Sequence, residues 1–382
     1  MKRRNKTIIL ISLFLIGLLG LGGLNSPSSD SKKELELKYV SSMDLTYAEC
    51  FTIDYYEDGY TLLTTVLDGQ QYLIVPDGKA APEHLSEDIM VLQQPLDDVY
   101  LVATAAMDMF EKLDAMEHIR FSSQKEENWS SEEARERMQS GAILYAGKYS
   151  TPDYELILSE GCSLAIENNM ISHSPEVLEK LESFGIPSFI DYSSYENHPL
   201  GRVEWIKAYG TLLGKETKAE ELFKEQCEIM ERVVAEESTE KTVAFFYVTT
   251  NGMFNVRSSY DYVPKMIGLA GGKYIFENLG EEDSKRSTIS MQMEEFYETA
   301  KDADYLIYNS TIDGELSTIE ELLDKEGMLE DFKAVKNGNV WCTTKDLYQE
   351  SMSIGEMIED FYYMMSENKE LQENMRYMYP LN

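Results

Sequence analysis

The stretch KETKAEELFKEQCEIMERVVAEE, residues 215–237, decides the fold. Phe223, Cys227, Met230 and Val234 recur at 4-3-4 spacing, which lays one apolar stripe along a helix. No Gly or Pro interrupts the stretch. The spacing predicts a single helix from Lys215 to Glu237 with a polar outer face. Strand and helix signals alternate on both sides of it. A stiff helix between two α/β segments leaves a cleft between them, and small ligands bind in such clefts.

Upstream, VYLVAT (99–104), HIRFSS (118–123) and AILYA (142–146) read as strands. AAMDMFEKLDAM (105–116) and SSEEARERMQSG (130–141) read as helices, the second with Ser130 or Ser131 as N-cap and Gly141 as its stop. A helix over 152–158, a strand over 163–166, the helix PEVLEKLESFG (175–185) and the strand IPSFIDY (186–192) follow. A helix over 201–213 leads into the opening stretch. Downstream, TVAFFYV (242–248) is a continuous apolar run, as a buried parallel strand should be. Helices are expected over YVPKMIGLAGG (262–272), EEFYETAKDA (294–303), STIEELLDKEGMLEDFKAV (317–335, broken near Gly327) and SIGEMIEDFYYMMSEN (353–368). Strands are expected over DYLIYN (304–309) and NVWCTT (339–344).

The expected fold class is therefore α/β. Two Rossmann-like three-layer lobes with mostly parallel sheets are joined by a single long helix, plus an N-terminal β segment. That segment covers residues 39–75 and reads as antiparallel β, with Asp58-Gly59 and Asp68-Gly69 at its turns. The expected division is 35–213 for the N-terminal lobe with this appendage, 214–238 for the link and 240–382 for the C-terminal lobe. Residues 1–28 read as a signal peptide or membrane anchor. Lys2, Arg3, Arg4 and Lys6 precede an uncharged run from Thr7 to Leu24. A lipoprotein signal needs a Cys after the small residues, but Gly22 and Gly23 are followed by Leu24, and the first Cys is Cys50. Cleaved or retained, the segment places the folded part outside the cytoplasmic membrane, secreted or anchored at its outer face.

The formal net charge of −35 argues against a nucleic-acid partner, which wants clustered Lys and Arg. Cys50, Cys162, Cys227 and Cys342 match no zinc or redox spacing, and buried free thiols are the favoured reading, with a long-range disulfide left open. His84, His118, His173 and His198 form no metal pair at helical spacing. No GxSxG, P-loop, HExxH or GxGxxG occurs, so no residue argues for catalysis. A binding role has more support. The chain carries 25 Tyr. Tyr145, Tyr149, Tyr192, Tyr195, Tyr260 and Tyr262 fall where strand-to-helix loops should face the cleft, beyond the carboxyl ends of strands. Tyr offers a flat apolar face and a hydroxyl. Lys148, Arg202 and Arg257 are placed to neutralise an anion. The candidate ligand-binding set is Tyr145, Lys148, Tyr192, Arg202, Arg257 and Tyr260. No cofactor, catalytic residue or direct metal ligand is assigned.

At these residues the chain resembles the periplasmic-binding-protein family of ABC importers for iron–siderophore complexes, haem and cobalamin. The likeness runs from about Pro95 to the C-terminus. It rests on DDVYLVATAAMDMFEKL (97–113), YAGKYSTPDYELILSEG (145–161) and GIPSFIDYSSYENHPLGRVEWIKAYGTLLGKETKAEELF (185–223). MIGLAGG (266–272), ISMQMEEFYETAKDADYLIYN (289–309) and VKNGNVWC (335–342) continue it in order. The resemblance implies a rigid two-lobed receptor that binds an iron(III)-siderophore-type complex, or alternatively haem or cobalamin, and delivers it to permease subunits. It also implies one permease-docking Glu on each lobe: Glu155 in PDYELIL and Glu294 in MEEFY, with Glu295 as substitute for the latter. The missing lipobox Cys and the β segment before Val91 depart from the family pattern. An exported α/β enzyme acting in the same cleft is the rival class, and a surface adhesion or scaffold protein is a third.

Overall fold

The computed structural model describes residues 37–281 and 286–382, so the expected signal or anchor at 1–28 lies outside the described residues. The chain begins with a five-stranded sheet: β1 (Tyr39–Ser42), β2 (Phe51–Tyr56), β3 (Thr61–Thr65), β4 (Gln71–Val75) and β5 (Ile89–Gln93), paired in that order. The first four strands are antiparallel, as the two Asp-Gly turns require. The sheet extends past the expected limit of 75, because β5 returns and pairs parallel to β4. Side chains alternate across it. Phe51, Ile53, Leu63, Tyr72 and Ile74 join the main core, while Leu62, Leu73 and Val75 form a small cluster on the other face.

A second sheet holds β6 (Val99–Leu101), β7 (Ile119–Ser122) and β8 (Leu144–Tyr145). The short hairpin of β9 (Gly147–Lys148) and β10 (Thr151–Pro152) stands apart, and β11 (Leu164–Asn168) and β12 (Ser188–Asp191) complete the sheet. Its order is β12-β11-β6-β7-β8, parallel throughout. The helices between these strands are α1 (Ala106–Lys112), α2 (Glu132–Gln139), α3 (Tyr154–Ser159) and α4 (Pro175–Ser183). This is the doubly wound order, and its switch point falls between β6 and β11, where a crevice opens at the carboxyl ends of the strands.

Two helices expected as one follow: α5 (Pro199–Glu204) and α6 (Ile206–Leu213), divided at Trp205. Next comes α7 (Glu216–Val234), 19 residues long. Its buried face is Ala219, Phe223, Gln226, Ile229, Met230 and Val233. The expected stripe is corrected at its end: Val234 is 51% exposed and Val233 carries the contact. α7 is gripped closely on two sides. A Cβ on Gly210 of α6 would lie 2.6 Å from the Ala219 Cβ. The other grip comes from a helix of the third sheet.

That sheet contains β13 (Thr242–Val248), β14 (Phe254–Arg257), β15 (Lys273–Tyr274), β16 (Thr288–Met291), β17 (Tyr305–Tyr308), β18 (Val340–Thr343) and β19 (Met378–Pro380). No strand of one α/β sheet comes from the other side of α7. β13, β15, β16, β17 and β18 run in one direction, and β14 and β19 run against them, so the sheet is mostly parallel in direction, with antiparallel pairings at β14 and β19. Its helices are α8 (Tyr262–Leu269), α9 (Met293–Ala300), α10 (Ile319–Lys325), α11 (Lys333–Asn337) and α12 (Ile354–Met365). Gly355 of α12 donates its N–H to the Gln226 Oε1 of α7 at 2.9 Å, and a Cβ there would lie 2.8 Å from the Gln226 carbonyl oxygen. Only glycine allows that approach.

Two carboxylates join the N-terminal sheet to the rest. Glu204, fully buried in α5, accepts the N–H groups of Thr46, Tyr47 and Ala48 at 2.7–3.0 Å and also the Lys207 ammonium. Glu196 accepts the N–H groups of Glu49 and Cys50 and the Trp205 indole. A third carboxyl has the opposite situation. Glu167 on β11 is fully buried with no partner for either oxygen, and burial pushes it up to about 8. None of the four cysteines forms a disulfide; Cys50 and Cys342 are buried and Cys162 and Cys227 only half-buried. Among the described residues, no helix is long and apolar enough to cross a membrane.

Candidate functional site

Two cavities hold expected ligand-binding residues, one lined by the first half alone and one by both halves. The first, about 480 Å³, sits at the switch point of the second sheet. Val102 and Asn168 form its floor at the ends of β6 and β11, and Lys125, Tyr145, Lys148 and Tyr149 form its wall. The second, about 210 Å³, takes Asn169, Ser194, Tyr195 and Arg202 from the first half and Arg257, Asp261, Tyr262, Ser287 and Tyr348 from the second. Asn168 of the first cavity and Asn169 of the second are chain neighbours.

The chemistry is concentrated around Arg257. The sequence suggests a loop position for it, but Arg257 ends β14, because the Asn251-Gly252 turn folds β13 and β14 into a hairpin. Its guanidinium is held by Asp261 through two bonds, Nε to Oδ1 at 2.8 Å and Nη2 to Oδ2 at 2.7 Å. Asp261 in turn caps α8 by accepting the Val263 N–H. The Nη1 of Arg257 donates to the Tyr348 hydroxyl at 3.3 Å, which also receives the Asn309 amide at 3.0 Å. Burial works against the charge of Arg257, but Tyr348 and Asp261 outweigh it and hold its acidity below that of a free guanidinium. Burial raises the Tyr262 and Tyr348 phenols, so both stay neutral donors or acceptors.

Arg202 reaches in from α5. Its guanidinium lies 4.1 Å from the centre of the Tyr262 ring, with Arg257 5.7 Å from the same ring. An arginine of the first half thus stacks on a tyrosine of the second, a cation–π contact across the cleft. The halves also touch beside it. Gln349 takes the N–H and hydroxyl of Ser130 and donates to the Asn128 carbonyl, and the Met352 N–H donates to Asp108.

Of the expected ligand-binding residues, Arg202 and Arg257 line one cavity, and Tyr145 and Lys148 line the other. Tyr192 and Tyr260 line neither: Tyr192 is tied to Asp68 of the N-terminal sheet, and Tyr260 is 36% exposed. Tyr348, Asp261 and Asn169 were not singled out from the sequence. A tyrosine in the loop that follows a strand, as Tyr348 follows β18, was the available signal. Glu155 lies in the first turn of α3, Glu294 and Glu295 in the first turn of α9, and all three are exposed.

The two cavities differ in charge from the chain as a whole. They are lined by four basic residues (Lys125, Lys148, Arg202, Arg257) and two acidic ones (Glu127, Asp261). The whole chain has 34 Lys and Arg against 69 Asp and Glu. Another cavity of about 600 Å³, between the N-terminal sheet and α4, holds Asp68, Glu87, Asp88 and Glu182 with no cation. The local charge is therefore positive at the two cavities and negative at that groove. Among the described residues, no group of three or more His, Cys, Asp or Glu is placed to hold a metal ion.

Two α/β units facing each other across a cationic, aromatic cleft define a solute-binding architecture. The sequence model of the periplasmic binding protein family matches residues 102–347, and the chain belongs to that family. An uncharacterized lipoprotein of Methanocaldococcus jannaschii is 28% identical over 348 residues, covering 85% of this chain and 80% of that one. In fold, the chain is similar to a possible iron-binding periplasmic solute-binding protein of Staphylococcus epidermidis, with a TM-score of 0.54 and 16% identity over 70% of this chain and 98% of that one. It is also similar to the periplasmic haem-binding protein HutB of Vibrio cholerae, with a TM-score of 0.56 and 18% identity over 68% of this chain and 96% of that one. The N-terminal sheet precedes the family match.

Proposed function

We propose that this protein is the extracytoplasmic solute-binding component of an ABC importer, and that it carries an anionic iron(III) chelate of the siderophore type in the interhalf cleft. The observation that carries this reading is the excess of cations at the cleft of a strongly acidic chain. Arg and Lys suit anionic chelates through charge-assisted hydrogen bonds, and the tyrosine faces suit their flat rings. The cavity of about 480 Å³ falls inside the roughly 300–1,000 Å³ of small-molecule sites, and the one of about 210 Å³ between the halves falls below it. Residues 35–213 and 240–382 are then the two lobes, and 214–238 their link. The structurally similar proteins, one a possible iron-binding protein and one a haem-binding protein, support a metal chelate as cargo. The lipoprotein relative supports attachment at the outer face of the cytoplasmic membrane.

Mass spectrometry and metal analysis of the purified protein test the cargo, followed by titration with ferric chelates, haem and cobamides under tyrosine and tryptophan fluorescence. Quenching by a ferric chelate with micromolar or tighter affinity, about −8 kcal/mol, is the expected outcome. Binding of haem or a cobamide alone replaces the cargo, and binding of none removes the transport reading. Arg202→Ala should weaken the bound chelate by about 1.5–3 kcal/mol, the range for a hydrogen bond to a charged group. The thermal midpoint should hardly move, because Arg202 makes only a 3.3 Å bond to the Ser194 carbonyl and the ring contact. Unchanged affinity in this variant would place the chelate elsewhere.

Glu155 and Glu294 are exposed and free to meet permease arginines. Reversing both to Lys sets like charges across the interface, which can cost several kcal/mol. Ligand binding and stability should survive, because exposed charges contribute little to folding. Uptake through the cognate importer should fall by about tenfold or more, a factor worth roughly 1.4 kcal/mol. Normal uptake by the double variant removes these two residues from the docking role and leaves Glu295 to be tried.

A further inference from the structure

The N-terminal sheet lies outside the family match, yet it holds the loop that builds one wall of the cleft. That loop is residues 192–196. It contributes Ser194 and Tyr195 to the cavity around Arg202 and Arg257. The Ser194 carbonyl also receives Arg202 Nη1. The loop is gripped at both ends by the appended sheet. At its end, the Glu196 carboxylate takes the N–H groups of Glu49 and Cys50 at 2.8 and 2.9 Å. At its start, the Tyr192 hydroxyl donates to Asp68 Oδ2 at 2.9 Å. Asp68 sits in the turn between β3 and β4, and its other oxygen is fixed by the Thr65 hydroxyl at 2.6 Å and the Gln70 N–H at 3.1 Å. Tyr192 then stacks on Tyr195, with ring centres 6.1 Å apart and planes at 20°. An unbroken series of contacts runs from a turn of the appended sheet to a ring lining the cleft.

We infer that Asp68 is a positioning residue of the ligand site: through Tyr192 it sets the placement of the Tyr195 ring in the cleft wall, so that the N-terminal sheet is a working part of the binding site. The inference rests on the cleft as the ligand site, but the coupling itself can be read without ligand. An aspartate is suited to this task. One oxygen is spent on its own turn, which leaves the second in a fixed direction for the phenol. The bonded phenol is favoured in the orientation that stacks on Tyr195.

The test uses the full chain with 3-fluorotyrosine incorporated site-specifically at position 195 and read by fluorine NMR. Asp68→Ala and Tyr192→Phe should move or broaden the Tyr195 resonance in the same way. Asp68→Asn, whose amide can still bond the phenol, should return it toward the wild-type position. The double variant Asp68→Ala/Tyr192→Phe should look like either single one, because both break the same contact. A Tyr195 resonance that ignores Asp68→Ala overturns the inference, and so does an Asp68→Ala effect of equal size when Tyr192 is already Phe. In parallel, titration with ferric enterobactin and ferric citrate should show roughly fivefold weaker binding in Asp68→Ala, the size of one ordinary hydrogen bond, with no added loss in the double variant. If neither chelate binds the wild type, the ferric-chelate reading fails, while the resonance of Tyr195 still decides the role of Asp68.

Discussion

Replacement of Glu204 by Ala is expected to lower the unfolding free energy by about 3–5 kcal/mol, the range for breaking a buried charge pair from one side. The side chain is fully buried and has no idle oxygen. Oε1 faces the Thr46 N–H and the Lys207 ammonium, and Oε2 faces the N–H groups of Thr46, Tyr47 and Ala48. Its removal strands three backbone donors and leaves Lys207, 4% exposed at its side chain, with Glu220 and the face of the Phe223 ring. Buried donors without acceptors each forfeit about 1–3 kcal/mol. Neighbouring water can enter as the loop loosens, so the sum is not reached. The loss should be local first. Hydrogen exchange in residues 37–93 should accelerate before that of β6, β7 and β11, because the freed loop is the one that fastens the N-terminal sheet. Glu204→Gln keeps one acceptor and should fall between. A loss below about 1 kcal/mol, or a sheet that exchanges as slowly as in the wild type, would show that Glu196 alone holds the joint.

The second large effect concerns Glu167. Its carboxyl has no partner, and burial alone raises it from 4.5 to about 8. The folded chain therefore keeps a proton that the unfolded chain releases near pH 4.5. Stability from this group is fully present below about pH 4.5, declines as pH rises, and is lost once pH passes about 8. Glu167→Gln removes the titration while keeping the shape. The variant should match the wild type near pH 4. By pH 8 it should be more stable by roughly 4 kcal/mol, at about 1.4 kcal/mol for each unit between the two values. Urea unfolding of both proteins at pH 5, 6.5 and 8 measures the difference. The other raised carboxyls, Asp108 and Glu350 among them, are common to both proteins and cancel. Parallel stability curves for the two proteins would mean that water or a rearranged donor reaches Glu167.

Much of the α/β frame was legible because its period is written in local residues. The run 242–248 is apolar throughout and forms β13, and the stripe through Phe223 and Met230 announces α7. The register of α7 was misread by one residue at its end, because its buried face includes Gln226. That amide is satisfied by the N–H of Gly355, a residue 129 positions away, so it gives no apolar signal. β14, β16 and β19 were missed as strands because they are short and take their pairing from partners distant in the chain. The same limit governs the site. Arg202 and Arg257 could be proposed from charge and position after strands. The capture of Tyr192 by Asp68 could not, since the two are 124 residues apart and neither is unusual in its own surroundings.

The clasp between Thr46 and Glu204 spans 158 residues, and that distance bears on how the chain acquires its shape. The N-terminal sheet is made first, but its apolar face is finished last. Phe51 packs against Trp205 with ring centres 5.0 Å apart, and Tyr72 against Phe189 at 5.2 Å. Until those residues leave the ribosome, Phe51, Ile53, Leu63 and Tyr72 have no distant surface to cover them. Closing so long a loop adds little to the final free energy but slows the search for it. A nascent chain stopped between β5 and α5 would present an open sheet with a bare aromatic face and an unpaired edge, the form most prone to self-association. Its safe folding therefore depends on staying extended or chaperoned until about half of the chain has been made.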